Sequence, residues 1–148
     1  MSKINLQNAA EALKIKEQVE VLTYGRSMEP LLKEHRDIAV ISRAKAPVKN
    51  GDIVLYTRDN KQFILHRIVK IQGEKLVIRG DNNLFYEKDI KKEYIIGILT
   101  ALYRKGKYME KGSVQFKWFA VFNKLRFPVI FVYRKTKQYL WKKLKGRK

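Results

Sequence analysis

Up to residue 112 the apolar residues fall in short runs and alternations; beyond it they mix with basic residues at helical spacing. Leu6, Ala9, Ala10, Leu13 and Ile15 predict a short amphipathic helix over residues 5–15. Val19 to Tyr24 reads as a strand that delivers the chain into a turn. Ile38-Ala39-Val40-Ile41 and Ile53-Val54-Leu55-Tyr56 are apolar runs bounded by turn residues, the signature of buried strands. Phe63 to Ile71 predicts a long strand, with a hairpin at Gln72-Gly73-Glu74 leading into Leu76-Val77-Ile78. Tyr94 to Leu99 closes this part. Several strands at short spacing with little helix predict a mainly β, barrel-like domain.

After Gly112, aromatic and aliphatic residues from Phe116 to Leu144 alternate with Lys and Arg in a largely helical period, which is expected to break near Pro128. The organisation expected is a β-domain over residues 1–112 and a basic, amphipathic helical extension over 113–148.

Charge sharpens that division. The 148 residues carry 33 Lys/Arg and 14 Asp/Glu, a net charge of +19. Residues 111–148 hold 12 of the basic side chains and no acid. Such a block points to an anionic partner. A charge run alone is commonly a solvated face, but the interleaved Trp118, Phe119, Phe122, Phe131 and Trp141 fit a helix lying at a lipid interface, with Lys and Arg beside anionic headgroups. The longest uncharged apolar stretch there, Phe127 to Tyr133, is far too short to span a bilayer, and residues 4–16 do not read as a secretory signal. The absence of cysteine excludes disulfide and thiol chemistry. With two histidines and no Cys/His cluster, neither a metal site nor a cofactor is expected.

Three segments carry candidate chemistry. Ser27 lies in the turn Gly25-Arg26-Ser27-Met28-Glu29-Pro30, where Pro30 restricts Glu29 toward an extended conformation. His66 interrupts the apolar run Leu65-His66-Arg67-Ile68, and strand alternation sets it on the face opposite Leu65. Asp81 follows Gly80 and precedes Asn82-Asn83. A serine hydroxyl needs a neighbouring base to become a nucleophile at neutral pH, and histidine titrates in the right range. Each residue has a plainer use: a turn serine, a structural histidine, an aspartate capping its own turn. His35, between Glu34 and Arg36, reads as exposed and incidental. Lys61 and Lys70 flank the histidine strand, but neither takes the histidine's place.

In order along the chain, Gly25 to Pro30, Gly51 to Tyr56, His66-Arg67-Ile68-Val69 and Gly80-Asp81-Asn82-Asn83 resemble the boxes of type I signal peptidases and, more widely, the LexA-like serine peptidase clan. The position that holds lysine in the better-known bacterial branch matches His66, so the resemblance is to the histidine-base branch. It covers roughly residues 18–100 and lacks the family's amino-terminal membrane anchor. It implies a signal-peptidase-like β-fold and a serine endopeptidase that cleaves signal, leader or precursor peptides, with Ser27 as nucleophile, His66 as base and Asp81 as the third residue. That branch has a second aspartate six residues after the one in its Gly-Asp-Asn-Asn box; the position here is Glu87, with Asp89 two residues further on, so Glu87 and Asp89 stand as alternative acids. The partners expected are a peptide substrate, bound as an added β-strand, and an anionic membrane surface, at its cytoplasmic face. The rival readings are a LexA-like nucleic-acid-binding regulator and a non-catalytic binding module. Against the first, no helix-turn-helix precedes the β-domain.

Overall fold

The computed structural model describes residues 6–45, 47–58 and 62–145; residue 5 of the predicted first helix lies outside them. Helix α1 (Leu6–Ile15) is followed by β1 (Gln18–Leu22), β2 (Ile38–Arg43), β3 (Ile53–Arg58), β4 (Gln62–Gln72), β5 (Lys75–Arg79), β6 (Glu87–Lys91), β7 (Ile95–Arg104) and β8 (Lys107–Glu110). Helix α2 (Val114–Lys145) is the last element among the described residues. The strands form one antiparallel sheet in the order β1-β2-β7-β3-β4-β5-β6, with β8 paired to β7. The expected mainly β fold, with a short first helix and a helical carboxyl-terminal segment, is what the chain adopts.

β3 shows why the sheet forms where it does. Ile53 and Leu55 enter a core built with Leu13, Val21, Leu31 and Leu99, while Val54 and Tyr56 enter a second core with Ile68, Leu76 and Ile78. A continuous apolar run buries both faces of a strand, and each such side chain contributes about 1.5–3 kcal/mol on leaving water. That places β3 in the interior, between β7 and β4. The first core also receives α1 through Ala9 and Leu13, the turn after Ser27 through Met28, Leu31 and Leu32, and α2 through Phe116.

Two strands among the described residues, and the 3-10 turn Lys92–Tyr94, were not expected. β6 and β8 carry too few apolar residues to register as strands: of Glu87 to Lys91 only Ile90 is buried, and none of Lys107 to Glu110 is. The expected break near Pro128 does not occur, and α2 runs through it. A proline inside a helix removes one hydrogen bond and costs about 3 kcal/mol. The helix is gripped on both sides of the proline. Phe127 lies 3.5 Å under the Arg79 guanidinium, and Arg134 donates to the Asn82 carbonyl at 2.9 Å.

Candidate active site

The loop between β1 and β2 presents Ser27, and a buried aspartate gives that loop its shape. Asp37, fully buried, accepts bonds from Arg36 at 2.7 Å and from the Lys33 N–H at 2.8 Å. Burial pushes its carboxyl up, but these bonds and the Lys105 N–H outweigh burial and hold its pKa below the usual value. Thr23 closes the base of the loop by donating to the Lys33 and Asp37 carbonyls. Met28, Leu31 and Leu32 plug into the core immediately after the serine. Ser27 itself is half-buried. It lines a small, mostly apolar cavity of about 140 Å³ with Tyr24, Met28, Leu32, Phe63 and Leu65.

His66 stands opposite Val54 in the β3–β4 ladder, so its ring shares a face with Tyr56, and it is 5% exposed. Its Nδ1 lies 3.1 Å from Glu87 Oε1 and 3.5 Å from the Tyr56 hydroxyl. The other Glu87 oxygen accepts from Arg58 at 3.1 Å. Neighbouring strands are about 4.8 Å apart, so β6 would lie on the order of 14 Å from β3 on a flat sheet. Glu87 meets Arg58 of β3 and His66 of β4 across that spacing through its own and their side chains. Burial drives the His66 pKa below its ordinary value, while the Glu87 carboxylate, and more weakly Asp81, pull it back up. Burial, followed by the charge and hydrogen bond of Glu87, raises the Tyr56 pKa well above its usual value and keeps the phenol protonated. The result is a neutral imidazole whose Nδ1–H is held by a carboxylate, leaving Nε2 as the acceptor.

Gly80 is where that acceptor meets the serine turn. A Cβ at Gly80 would sit 2.9 Å from His66 Nε2, 2.8 Å from the Ser27 carbonyl oxygen and 2.9 Å from Asn83 Nδ2. Only glycine lets the three approach so closely. Asn82 fastens the two loops together: its N–H donates to the Ser27 carbonyl at 2.7 Å and its Nδ2 to the Arg26 carbonyl at 3.0 Å.

The acid expected against the imidazole was Asp81, with Glu87 and Asp89 as alternatives. The structure places Glu87 there. Asp81 is instead clamped by Arg67 through two bonds of 2.7 Å, and Arg67 also donates to the Gly51 carbonyl. The residue after the histidine points to the opposite face and takes the nearer aspartate for itself. Asp89 is exposed and pairs with Lys75 on the sheet surface. Lys70 is exposed, His35 is exposed, and Lys61 lies outside the described residues. Among the described residues no cluster of His, Asp and Glu is arranged to hold a metal ion.

Sequence reasoning passed over Tyr56, Arg58 and Arg67, and two arginines of α2. Arg67 adjoins the histidine and Tyr56 ends the second box, so both lay within segments already singled out. The α2 contacts carried no signal: Arg126 reaches the Glu29 carbonyl and Asn82 Oδ1 at 3.4 Å, and Arg134 reaches Asn82 Oδ1 at 3.0 Å. Arg104, stacked on Phe119 of α2, donates to the Pro30 and Leu31 carbonyls. Helix α2 thus lies against both loops of the site.

No curated protein matches the chain. The sequence model of the Peptidase S24-like family matches residues 5–100, a span that contains Ser27, His66, Gly80, Asp81 and Glu87, and the chain belongs to that family, within the LexA and signal-peptidase-like clan of serine peptidases.

Proposed function

We propose that the protein is a serine endopeptidase of signal peptidase type that cleaves signal, leader or precursor peptides with Ser27, His66 and Glu87. One observation carries this reading: a buried imidazole has Glu87 on Nδ1 while its Nε2 shares a point of contact with the Ser27 turn at Gly80. In the first step Ser27 Oγ attacks the scissile carbonyl carbon and its proton passes to His66 Nε2. Glu87 orients the ring and stabilises the imidazolium that forms. The Ser27 backbone N–H stands beside the developing oxyanion. As the tetrahedral intermediate collapses, the imidazolium returns the proton to the leaving amine, and water then hydrolyses the acyl-enzyme by the same route.

The cavity beside Ser27 limits the substrate. A volume of about 140 Å³ lies well below the ~300–1,000 Å³ of drug-sized sites, so it suits one small apolar side chain next to the scissile bond. The test is digestion of a peptide library with cleavage sites read by mass spectrometry. Cuts after small residues are expected. Ser27→Ala and His66→Ala are each expected to lower the rate by at least about 10³-fold, as for residues that act as one unit, with unchanged circular dichroism. Retention of most activity in either variant refutes the assignment.

A further inference from the structure

Helix α2 has two faces, and the β-domain uses only one. Phe116, Asn123, Arg126, Phe127 and Arg134 turn inward toward the core and the site loops. On the other side Val114, Trp118, Val121, Leu125, Val129 and Val132 are each more than half exposed. They recur at intervals of four, three, four, four and three, which at 3.6 residues per turn confines them to an arc of about 80°. Such a stripe faces the core in an ordinary surface helix; here it faces away. Exposed apolar patches of this extent mark a surface that is covered in use.

The charges around the stripe identify what covers it. Lys117, Lys124, Lys135 and Lys142 fall within about 20° of one another along one edge of the stripe, and α2 contains no acid at all. A second copy of the chain packed on this face would bring two lysine rows together, a repulsive arrangement. A nucleic acid would pair with the lysines but leave the stripe in water, since such contacts are made to phosphates. An anionic bilayer satisfies both, with acyl chains and glycerol against the stripe and phosphates against the lysines. Among the described residues no helix is long and apolar enough to cross a membrane.

We propose that the outward face of α2 lies in the plane of an anionic lipid surface and holds the protein there without spanning it. This proposal does not depend on the catalytic reading, because its test reads binding alone.

The test is co-sedimentation of the full chain with vesicles of phosphatidylcholine, with and without phosphatidylglycerol, at low and high salt. Binding is expected only with the anionic lipid and should weaken with salt as screening shortens the field. Val121→Glu/Leu125→Glu, at exposed positions, should lower affinity by at least about tenfold with an unchanged thermal melt. Lys117→Gln/Lys124→Gln/Lys135→Gln should lower it by roughly 100-fold at low salt and flatten the salt dependence. In a Trp141→Phe variant the remaining Trp118 should shift its emission to the blue on anionic vesicles and be quenched by brominated lipid. Equal binding to neutral vesicles, an unaffected Val121→Glu/Leu125→Glu variant, or an unshifted Trp118 overturns the proposal. So does a lipid-free dimer that this double variant dissociates while vesicle binding stays intact, which would make the face a contact between copies. Salt-sensitive binding to DNA with none to vesicles overturns it in favour of a nucleic acid.

Discussion

Glu87→Gln keeps the shape of the side chain and removes the charge that faces His66. In the proposed mechanism His66 becomes an imidazolium in the transition state, with its Nδ1 3.1 Å from that carboxylate. Unit charges about 4 Å apart attract by about 4 kcal/mol at an effective dielectric constant of about 20. Arg58 holds the other carboxylate oxygen at 3.1 Å and takes up part of this field, so about 2–4 kcal/mol should be lost. That corresponds to a fall of about 30- to 900-fold in kcat/KM. The glutamine amide can also donate to Nδ1, which would move the ring proton to Nε2 and remove the acceptor that Ser27 needs. Asp81→Asn acts differently, because it breaks the buried pair with Arg67. Breaking such a pair costs about 3 kcal/mol at the low end of its range, which for a chain of this size is a drop of about 6–12 °C in Tm. Its rate, measured well below the melt, should fall less than that of Glu87→Gln. Rates on a peptide identified by library digestion, with melts of both variants, separate the two roles. A larger rate loss in Asp81→Asn at an unchanged Tm would refute the assignment of Glu87.

Two further outcomes follow from the same geometry. Gly80→Ala inserts a methyl group where the backbone of the serine turn and the imidazole already meet, so it should destabilise by about 1–3 kcal/mol and cut the rate by on the order of 100-fold; wild-type kinetics in a folded Gly80→Ala protein would show that the approach is looser than described. Because burial depresses the His66 pKa, the acidic limb of kcat/KM should lie below the ordinary histidine value of about 6.5, and a limb at or above that value would contradict a buried neutral base. The same depression means that protonation favours the unfolded chain, so the stability held above about pH 6.5 is lost as pH falls through the lowered folded value.

The strands were legible where burial is dense. Ile53 to Tyr56 fills two cores at once, as a short apolar run bounded by turn signals does when it forms an interior strand. β6 was not legible, because an edge strand with one buried residue has no periodicity to detect. Glu87 therefore stood only as an alternative acid, behind Asp81. Glu87 reaches His66 across β5, to which β6 pairs through an irregular register, and that placement is set by sheet packing rather than by local sequence. Asp81 had the stronger local signal beside Gly80, but local signals do not reveal that Arg67, one residue past the base, holds it. Ser27 and His66 were legible because the turn and the strand that carry them are local structures. The continuity of α2 through Pro128 depends on Arg79 and Asn82, residues more than forty positions away.

The segment shared with the family ends at residue 100, and this is not where the molecule can be cut. Residue 100 lies in the middle of β7, which pairs with both β2 and β3 and so joins the strand after the serine loop to the strand beside the histidine. A chain stopped there would lose Leu102 from the core along with β8. Stopping at Gly112 would spare the sheet but remove Phe116 from the core, strip Phe127 from Arg79 and leave Asn82 without its two arginines. The span matched to the family is therefore smaller than what packs together as one structure. A trimmed version that loses activity would report on the integrity of the Asn82 loop as much as on any contact with a partner.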